Sequence, residues 1–170
     1  EPRGAQGMGR TQSSRPAGRP GRTARVGQSA FLALKDAYGL GPAGDSSPAM
    51  VLNGGVAYSG GICGAISGAA LAVGMLAEQR LGDHFQAKRI AREIILQAMD
   101  DFAREHESVN CRELIKMNLR APGGHVRFIE SGIWRTRCMT QIEFALRALA
   151  PFADQEVWGR RVAELNAPHS

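Results

Sequence analysis

The sequence predicts an all-α fold: a compact bundle of about five or six helices around a glycine- and alanine-rich buried helix, with an extended N-terminal arm. Three observations predict it. Apolar residues recur every three or four positions in several segments, Gly- and Pro-rich stretches separate those segments, and no pair of alternating runs indicates strands. The 170 residues suit one domain, which we place at residues 27–170.

Residues 1–26 form the predicted arm, which is rich in Gly, Pro, Ser and Arg and has few apolar side chains. Such a composition does not offset the entropy cost of ordering the chain, so we expect this segment to be disordered alone or docked on a partner. A linker remnant without a function is the alternative. Its arginines are the candidate partner-binding residues: Arg3, Arg10, Arg15, Arg19, Arg22 and Arg25.

The net positive charge of the chain lies entirely in this arm. Without it, residues 27–170 hold 15 basic and 15 acidic residues. We therefore expect the arm to dock on other protein subunits, while nucleic-acid binding is disfavoured because the body is neutral and lacks a basic helix face. No signal peptide is visible, and the expected compartment is either the cytoplasm or the periplasm after removal of a signal.

The first helix is predicted in "VGQSAFLALKDAYG", where Phe31, Leu34 and Tyr38 share a face and Gly39 suits the C-cap. The composition of "LGPAGDSSP" predicts a loop, and Pro48 suits the first turn of a new helix.

An uncharged stretch follows, with no charged residue between Asp45 and Glu78. Polar residues and glycine pairs interrupt it, its continuous apolar part is only 62–77, and no basic cluster borders it, so we expect a buried packing helix and no membrane span. Small residues four apart let another backbone approach closely. The expected ridge consists of Gly60, Gly64 and Gly68.

A long amphipathic helix is predicted in residues 82–107, with Asp83 as its cap. Asn110 and Glu113 have the spacing of a capping box and indicate a short helix at "NCRELIKM". Residues 118–132 are predicted to be a loop.

Two further helices complete the prediction. Residues 134–150 place Trp134, Cys138 and Leu149 on one face before Pro151 ends the helix, and residues 154–165 form a final short helix.

The chain has three cysteines, Cys63, Cys111 and Cys138, and no CxxC pair. This spacing disfavours a zinc ribbon, a thioredoxin motif and c-type haem attachment, and only the fold could bring the thiols together. If the glycine pair before Cys63 marks the start of a helix, the free N–H groups there favour a thiolate. By position alone, an inert buried cysteine is the simpler interpretation.

The cysteine-bearing segments resemble those of the C-GCAxxG-C-C family of redox-active proteins, over residues from about 26 to 150. The matching segments are "GGICGAISGAALAVGML", with Cys63, Gly64, Ala65 and Gly68 on the motif, "NCRELI" with Cys111, and the closing helix with Cys138. The family's first cysteine is missing: the equivalent stretch here is "GQSAFLAL", and Gly27 stands where that cysteine would be. The resemblance implies a redox site with Cys63, Cys111 and Cys138 as catalytic or metal-binding residues and Gly64 and Gly68 beside the cofactor.

The resemblance leaves two chemistries open. Three thiolates could hold an iron-sulfur cluster if an oxygen or nitrogen ligand, or a partner's cysteine, supplies the fourth position. Alternatively, Cys111 and Cys138 could form a disulfide and leave Cys63 as the attacking thiol. His106 is a candidate for the fourth ligand, although a surface histidine is the simpler interpretation.

Two functions follow. The leading one is a redox or electron-transfer protein, or a subunit of a redox complex, which uses the three cysteines for an iron-sulfur cluster or for thiol chemistry. The alternative is a noncatalytic accessory subunit of a larger assembly, which has a degenerate cysteine site and docks through the arm.

Overall fold

The structure is a computed structural model that describes residues 26–167, so residues 1–25 of the predicted arm, with all of its arginines, lie outside the described residues. The all-α prediction is confirmed. The α-helices of the described part of the chain are α1 (Val26–Ala37), α2 (Gly64–Leu81), α3 (His84–His106), α4 (Cys111–Ile115), α5 (Gly124–Ser131), α6 (Met139–Leu149) and α7 (Gln155–Asn166).

The close pairing of α1 with α2 organises the bundle. A Cβ atom added at Gly68 would lie 2.3 Å from the carbonyl oxygen of Gly27, and one added at Gly64 would lie 2.3 Å from that of Leu52. Only glycine lets the backbones approach this closely. The predicted ridge is thus confirmed for Gly64 and Gly68, whereas Gly60 lies before the helix, in a left-handed conformation at φ +84°.

Apolar side chains from α1, α2, α3 and α6 form the core between these helices. Its largest fully buried members include Phe31, Leu34, Leu76, Ile90 and Phe102. Asp83 caps α3 as predicted, because its carboxylate accepts a 2.7 Å hydrogen bond from the backbone N–H of Gln86.

The structure differs from the sequence prediction in three segments. Pro48 lies in a 3-10 turn, Ser47–Ala49, and does not start a longer helix. Residues 118–132 contain α5. Phe128 is the one large apolar side chain that this helix buries, so the sequence has no apolar period that would predict it. The predicted helix at 134–150 begins as a π-helical segment, Trp134–Cys138, and continues as α6.

The uncharged stretch of the sequence becomes α2 and the loop before it. None of the helices in residues 26–167 has the length and apolar character needed to cross a membrane. Nine residues of α2 are buried in the bundle, which agrees with the predicted packing helix.

Candidate functional site

A pair of backbone hydrogen bonds places Cys63 beside Cys111. The N–H of Cys63 donates to the carbonyl of Val109, and the N–H of Cys111 donates to the carbonyl of Gly61, each at 2.7 Å. These bonds flank an isolated antiparallel bridge between Ile62 and Asn110. Two segments that are almost fifty residues apart in sequence are thereby fixed together.

Cys138 reaches the same region from the π-helical segment before α6. Its neighbour Arg137 donates a 3.1 Å hydrogen bond to the carbonyl of Leu114 in α4, the helix that Cys111 opens. π-helical turns are uncommon and often occur at functional sites. This one holds Cys138 with only 3% of its surface exposed.

The three thiols line one cavity of about 400 Å³. All three are free, and none is more than 8% exposed. None of the described residues around the cavity is an Asp, Glu, Lys or Arg. The polar and aromatic residues that line it with the cysteines are Gln28, Asn53, Tyr58, His125, Phe128 and Gln141.

Burial keeps the thiols protonated. It raises the pKa of Cys63 to about 12, of Cys111 to about 11 and of Cys138 to about 12. The N–H groups of Ala65 and Ile66 at the start of α2 lower the pKa of Cys63, as the sequence suggested, but burial outweighs them. At this helix start, the free Cys63 thiol is therefore protonated at neutral pH.

The thiols also interact with one another and with a buried amide. A negative charge on Cys111 would raise the pKa of Cys63 and of Cys138, and one on Cys63 would raise the pKa of Cys138, so the thiols act on one another electrostatically. The Cys63 thiol donates a hydrogen bond to the Oε1 of Gln141 at 3.3 Å. Gln141 is only 3% exposed and lies three residues after Cys138, on the same side of its helix.

His106 lies elsewhere. Its ring packs against Phe102 and Phe144, with ring centroids 4.5 Å and 5.7 Å away, and it is not among the residues that line the cavity. Burial lowers its pKa. The histidine at the cavity is His125, which gave no signal in the sequence because it lies 13 residues from the nearest cysteine, Cys138.

Two glutamines were also missed. Gln28 of α1 and Gln141 of α6 are buried and line the cavity, 8% and 3% exposed respectively. A signal for Gln141 was available in its spacing of three residues from Cys138 on a predicted helix. Gln28 gave no such signal, because its neighbourhood has no cysteine in the sequence.

The packing of α1 decides which of its positions could place a fourth thiol at the cavity, where the family's first cysteine is missing. A Cβ at Gly27 would lie 2.7 Å from the Cβ of Leu52 and would point into the contact between the two segments. The α1 residues that line the cavity are its neighbours, Val26 and Gln28. A fourth thiol from this helix would therefore have to come from position 26 or 28.

The thiols line the cavity wall without converging on one point. In residues 26–167, no three or more His, Cys, Asp and Glu side chains are arranged to hold a metal ion. A single tetrahedral ion would need sulfur atoms about 3.8 Å apart, since each metal–sulfur bond is about 2.3 Å long.

Comparison with known proteins identifies the family. The model of the family described as "Putative redox-active protein (C_GCAxxG_C_C)" matches residues 27–151, most of the chain. The chain belongs to the C_GCAxxG_C_C family. No curated protein and no solved structure matches it. Membership of the C_GCAxxG_C_C family supports a redox role in general terms, and the cavity contains every cysteine of the chain.

Proposed function

We propose that Cys63, Cys111 and Cys138 form one redox centre, which holds an iron-sulfur cluster and transfers electrons, either in this protein alone or as a subunit of a redox complex. One observation carries the proposal: three cysteines that are far apart in sequence line a single cavity as free thiols. Structural cysteines buried one by one in a core would not be expected to share a cavity wall.

The donor set fits such a cluster. Thiolates are the ordinary ligands of iron-sulfur clusters, and a histidine nitrogen replaces a thiolate in some of them. Cys63, Cys111 and Cys138 would hold the cluster, and His125 is the nitrogen donor at the cavity. When bound, a cluster of this kind accepts and releases single electrons.

The raised thiol pKa values favour metal ligation over thiol exchange. A thiolate is the attacking species in disulfide exchange, and at neutral pH the thiols of Cys63, Cys111 and Cys138 are almost entirely protonated. A cation in the cavity would change this, because a coordinating thiol loses its proton to the charge of the metal. The same burial that makes the free thiols poor nucleophiles would shield a bound cluster from water.

Anaerobic reconstitution with ferrous iron and sulfide tests the proposal. We expect a brown protein with visible absorption and bound acid-labile sulfide, and a loss of most of that absorption in Cys63→Ser, Cys111→Ser and Cys138→Ser. Gln97→Ala, an exposed change on α3 away from the cavity, is the control and should reconstitute like the parent chain. A colourless parent protein that binds no iron would refute the cluster.

The alternative is a noncatalytic accessory subunit with a degenerate site. The observation that favours it is that the thiols do not converge on a metal position in residues 26–167. In that case, the arginine arm would dock on another subunit. Removal of residues 1–25 should then abolish co-purification with a partner, whereas all three Cys→Ser variants should retain it.

A further inference from the structure

The cavity with the three thiols reaches the surface at a loop that exposes apolar side chains, residues 50–62. Met50 and Tyr58 line the cavity and are also exposed, at 56% and 39%, whereas the cysteines behind them are buried. The other exposed large apolar residues of this loop are Val51, Val56 and Ile62. An exposed apolar cluster of this kind is typical of a surface that binds a partner.

The backbone holds this loop in a conformation that costs free energy. Ala57 and Tyr58 have φ angles of +52° and +62°, which residues with a Cβ seldom adopt. Backbone hydrogen bonds close the loop: the N–H of Ala57 donates to the carbonyl of Val51 at 2.8 Å, and that of Gly60 to the carbonyl of Gly54 at 2.9 Å. The loop thus keeps apolar side chains in water on a strained backbone, and strain of this kind is concentrated at functional sites.

Arginines surround the cavity on the elements that pack beside this loop. Four exposed ones directly adjoin a cavity-lining residue in sequence: Arg112, Arg120, Arg127 and Arg137. The guanidinium of Arg112 donates a 3.3 Å hydrogen bond to the carbonyl of Ser59, so it lies against the loop itself. Among the described residues, none of the four forms an ion pair with a carboxylate.

The net charge of these elements is positive. Residues 107–137 hold six basic and three acidic residues, and residues 46–77 hold no charged residue. The described structure begins at Val26, which itself lines the cavity, so the six arginines of residues 1–25 are attached next to it. The exposed apolar loop therefore has a basic rim whose charges are not neutralised within residues 26–167.

This combination favours a protein partner with an acidic surface. A second copy related by a twofold axis would bring the same unpaired arginines together, which is repulsive. Helices and loops that enter an anionic membrane use mainly Trp, Phe and Leu, whereas this loop exposes Met, Val, Ile and Tyr. An apolar centre with an unpaired basic rim is complementary to an apolar patch surrounded by carboxylates.

We propose that this mouth face, which consists of residues 50–62 with Arg112, Arg120, Arg127 and Arg137 around them, docks a small acidic redox protein. The proposal rests on the proposed redox centre, because the partner exchanges electrons with the site in the cavity behind the face. In each exchange the reduced partner loses one electron and the centre gains it, and no bond forms or breaks. Such docking buries a small area and depends on charge, so it is weak and sensitive to salt.

Nuclear magnetic resonance mapping with an acidic two-iron ferredoxin as the probe tests the docking. The ferredoxin is added at low salt to the isotope-labelled full chain. We expect the backbone amide signals of residues 50–62 and 123–127 to shift or broaden, those of α3 to stay unchanged, and the effect to decrease at high salt. The absence of shifts, or shifts centred on another face, overturns the proposal.

Charge reversal on the rim provides a second readout. Arg120→Glu and Arg127→Glu should each weaken binding about tenfold, because each would place a negative charge opposite the carboxylates of the probe. Arg92→Glu is the matched control, since it makes the same change in net charge on α3, which does not line the cavity among the described residues. Equal weakening by all three substitutions would mean that only net charge attracts the probe, and it overturns the mouth face.

Val56→Ser tests the apolar centre, with Leu96→Ser on α3 as its control. Both side chains are exposed, at 49% and 55%, so neither substitution leaves a cavity in the core. Val56→Ser should weaken binding about tenfold and Leu96→Ser should not, whereas equal affinities contradict the proposal. Vesicles of anionic lipid are the second probe: if they bind the chain through Val56 while the ferredoxin causes no shift, the occupant is a membrane and the proposal is wrong.

These measurements report binding, so they do not depend on whether the cavity holds a cluster. A chain that stays colourless on reconstitution, yet shifts at residues 50–62 with the ferredoxin, supports the docking face and refutes the cluster. A brown chain whose signals do not respond to the ferredoxin refutes the docking face alone.

Discussion

At the scale of the residue, the thiols are controlled by burial. Cys63 caps the start of α2, where backbone N–H groups favour a thiolate, yet burial dominates and its pKa rises to about 12. The motif shows where the thiol stands along the helix but not how deeply it is buried. Its protonation state is therefore a property of the packed molecule.

The raised pKa of Cys63 has a measurable effect on stability. In the unfolded chain a cysteine has a pKa of about 8.5, so rising pH stabilises the unfolded state first. The contribution of the protonated Cys63 thiol to the free energy of unfolding is fully present below about pH 8. It is lost as the pH rises toward the folded-state pKa of about 12. It should fall by about 2 kcal/mol between pH 8 and pH 10.

Urea unfolding of the reduced, metal-free protein at these two pH values tests this expectation. Cys63→Ala lowers the free energy of unfolding at both pH values because it removes packed atoms. Between pH 8 and pH 10, however, this variant should lose about 2 kcal/mol less stability than the parent chain. The same loss in the parent and in Cys63→Ala would show that Cys63 titrates normally.

A pair of cysteine substitutions on α1 tests how this helix faces the cavity. Val26→Cys should add a fourth thiol with little loss of stability, because Val26 lines the cavity and the two side chains are similar in size. Gly27→Cys should be destabilising, since its Cβ would lie 2.7 Å from the Cβ of Leu52.

Cadmium titration, followed by ultraviolet absorption of the metal–thiolate bonds, and urea unfolding measure the two effects. Val26→Cys should bind cadmium more tightly than the parent chain. If Gly27→Cys is as stable as the parent and binds cadmium more tightly, the described packing of α1 is wrong.

At the scale of the element, the contact between α1 and α2 determines the geometry of the bundle. Gly68→Ala should destabilise the protein by at least about 2 kcal/mol, because the new Cβ would lie 2.3 Å from the carbonyl oxygen of Gly27 and force the helices apart. Gly74→Ala, on the same helix, has no neighbouring atom within 4 Å of its new Cβ and should stabilise it by about 0.5–1 kcal/mol.

Thermal or urea unfolding of the two alanine variants measures this contrast directly. Both changes add one methyl group to one helix, so helix propensity cancels in the comparison. Equal effects at positions 68 and 74 would mean that the helices do not approach through Gly68.

The helices were predictable to different degrees. The long amphipathic α3 and its Asp83 cap followed from a clear apolar period and a capping residue. The α5 helix did not, because its eight residues bury one large apolar side chain, Gly123 precedes it and Gly124 is its first residue. The π-helical start before α6 was also hidden, since one extra residue per turn leaves no mark in the composition.

At the scale of the whole molecule, the fold forms the site from elements distant in sequence. The cavity takes Gln28 from α1, Cys63 from the start of α2, Cys111 from α4 and His125 from α5, with Cys138 beside α6. The resemblance identified the three cysteines, but not the glutamines and the histidine between them. Those residues are brought to the cavity by tertiary packing, which local periodicity does not encode.

The central claim is that the three cysteines act as one redox centre, and an anaerobic potentiometric titration of the reconstituted protein tests it most directly. Visible absorption and electron paramagnetic resonance follow the titration in the parent chain and in each Cys→Ser variant. We predict a reversible one-electron couple in the parent that is lost or strongly shifted when Cys63, Cys111 or Cys138 is replaced. A parent chain without a reversible couple, or a couple that survives the replacement of all three cysteines, would contradict the account.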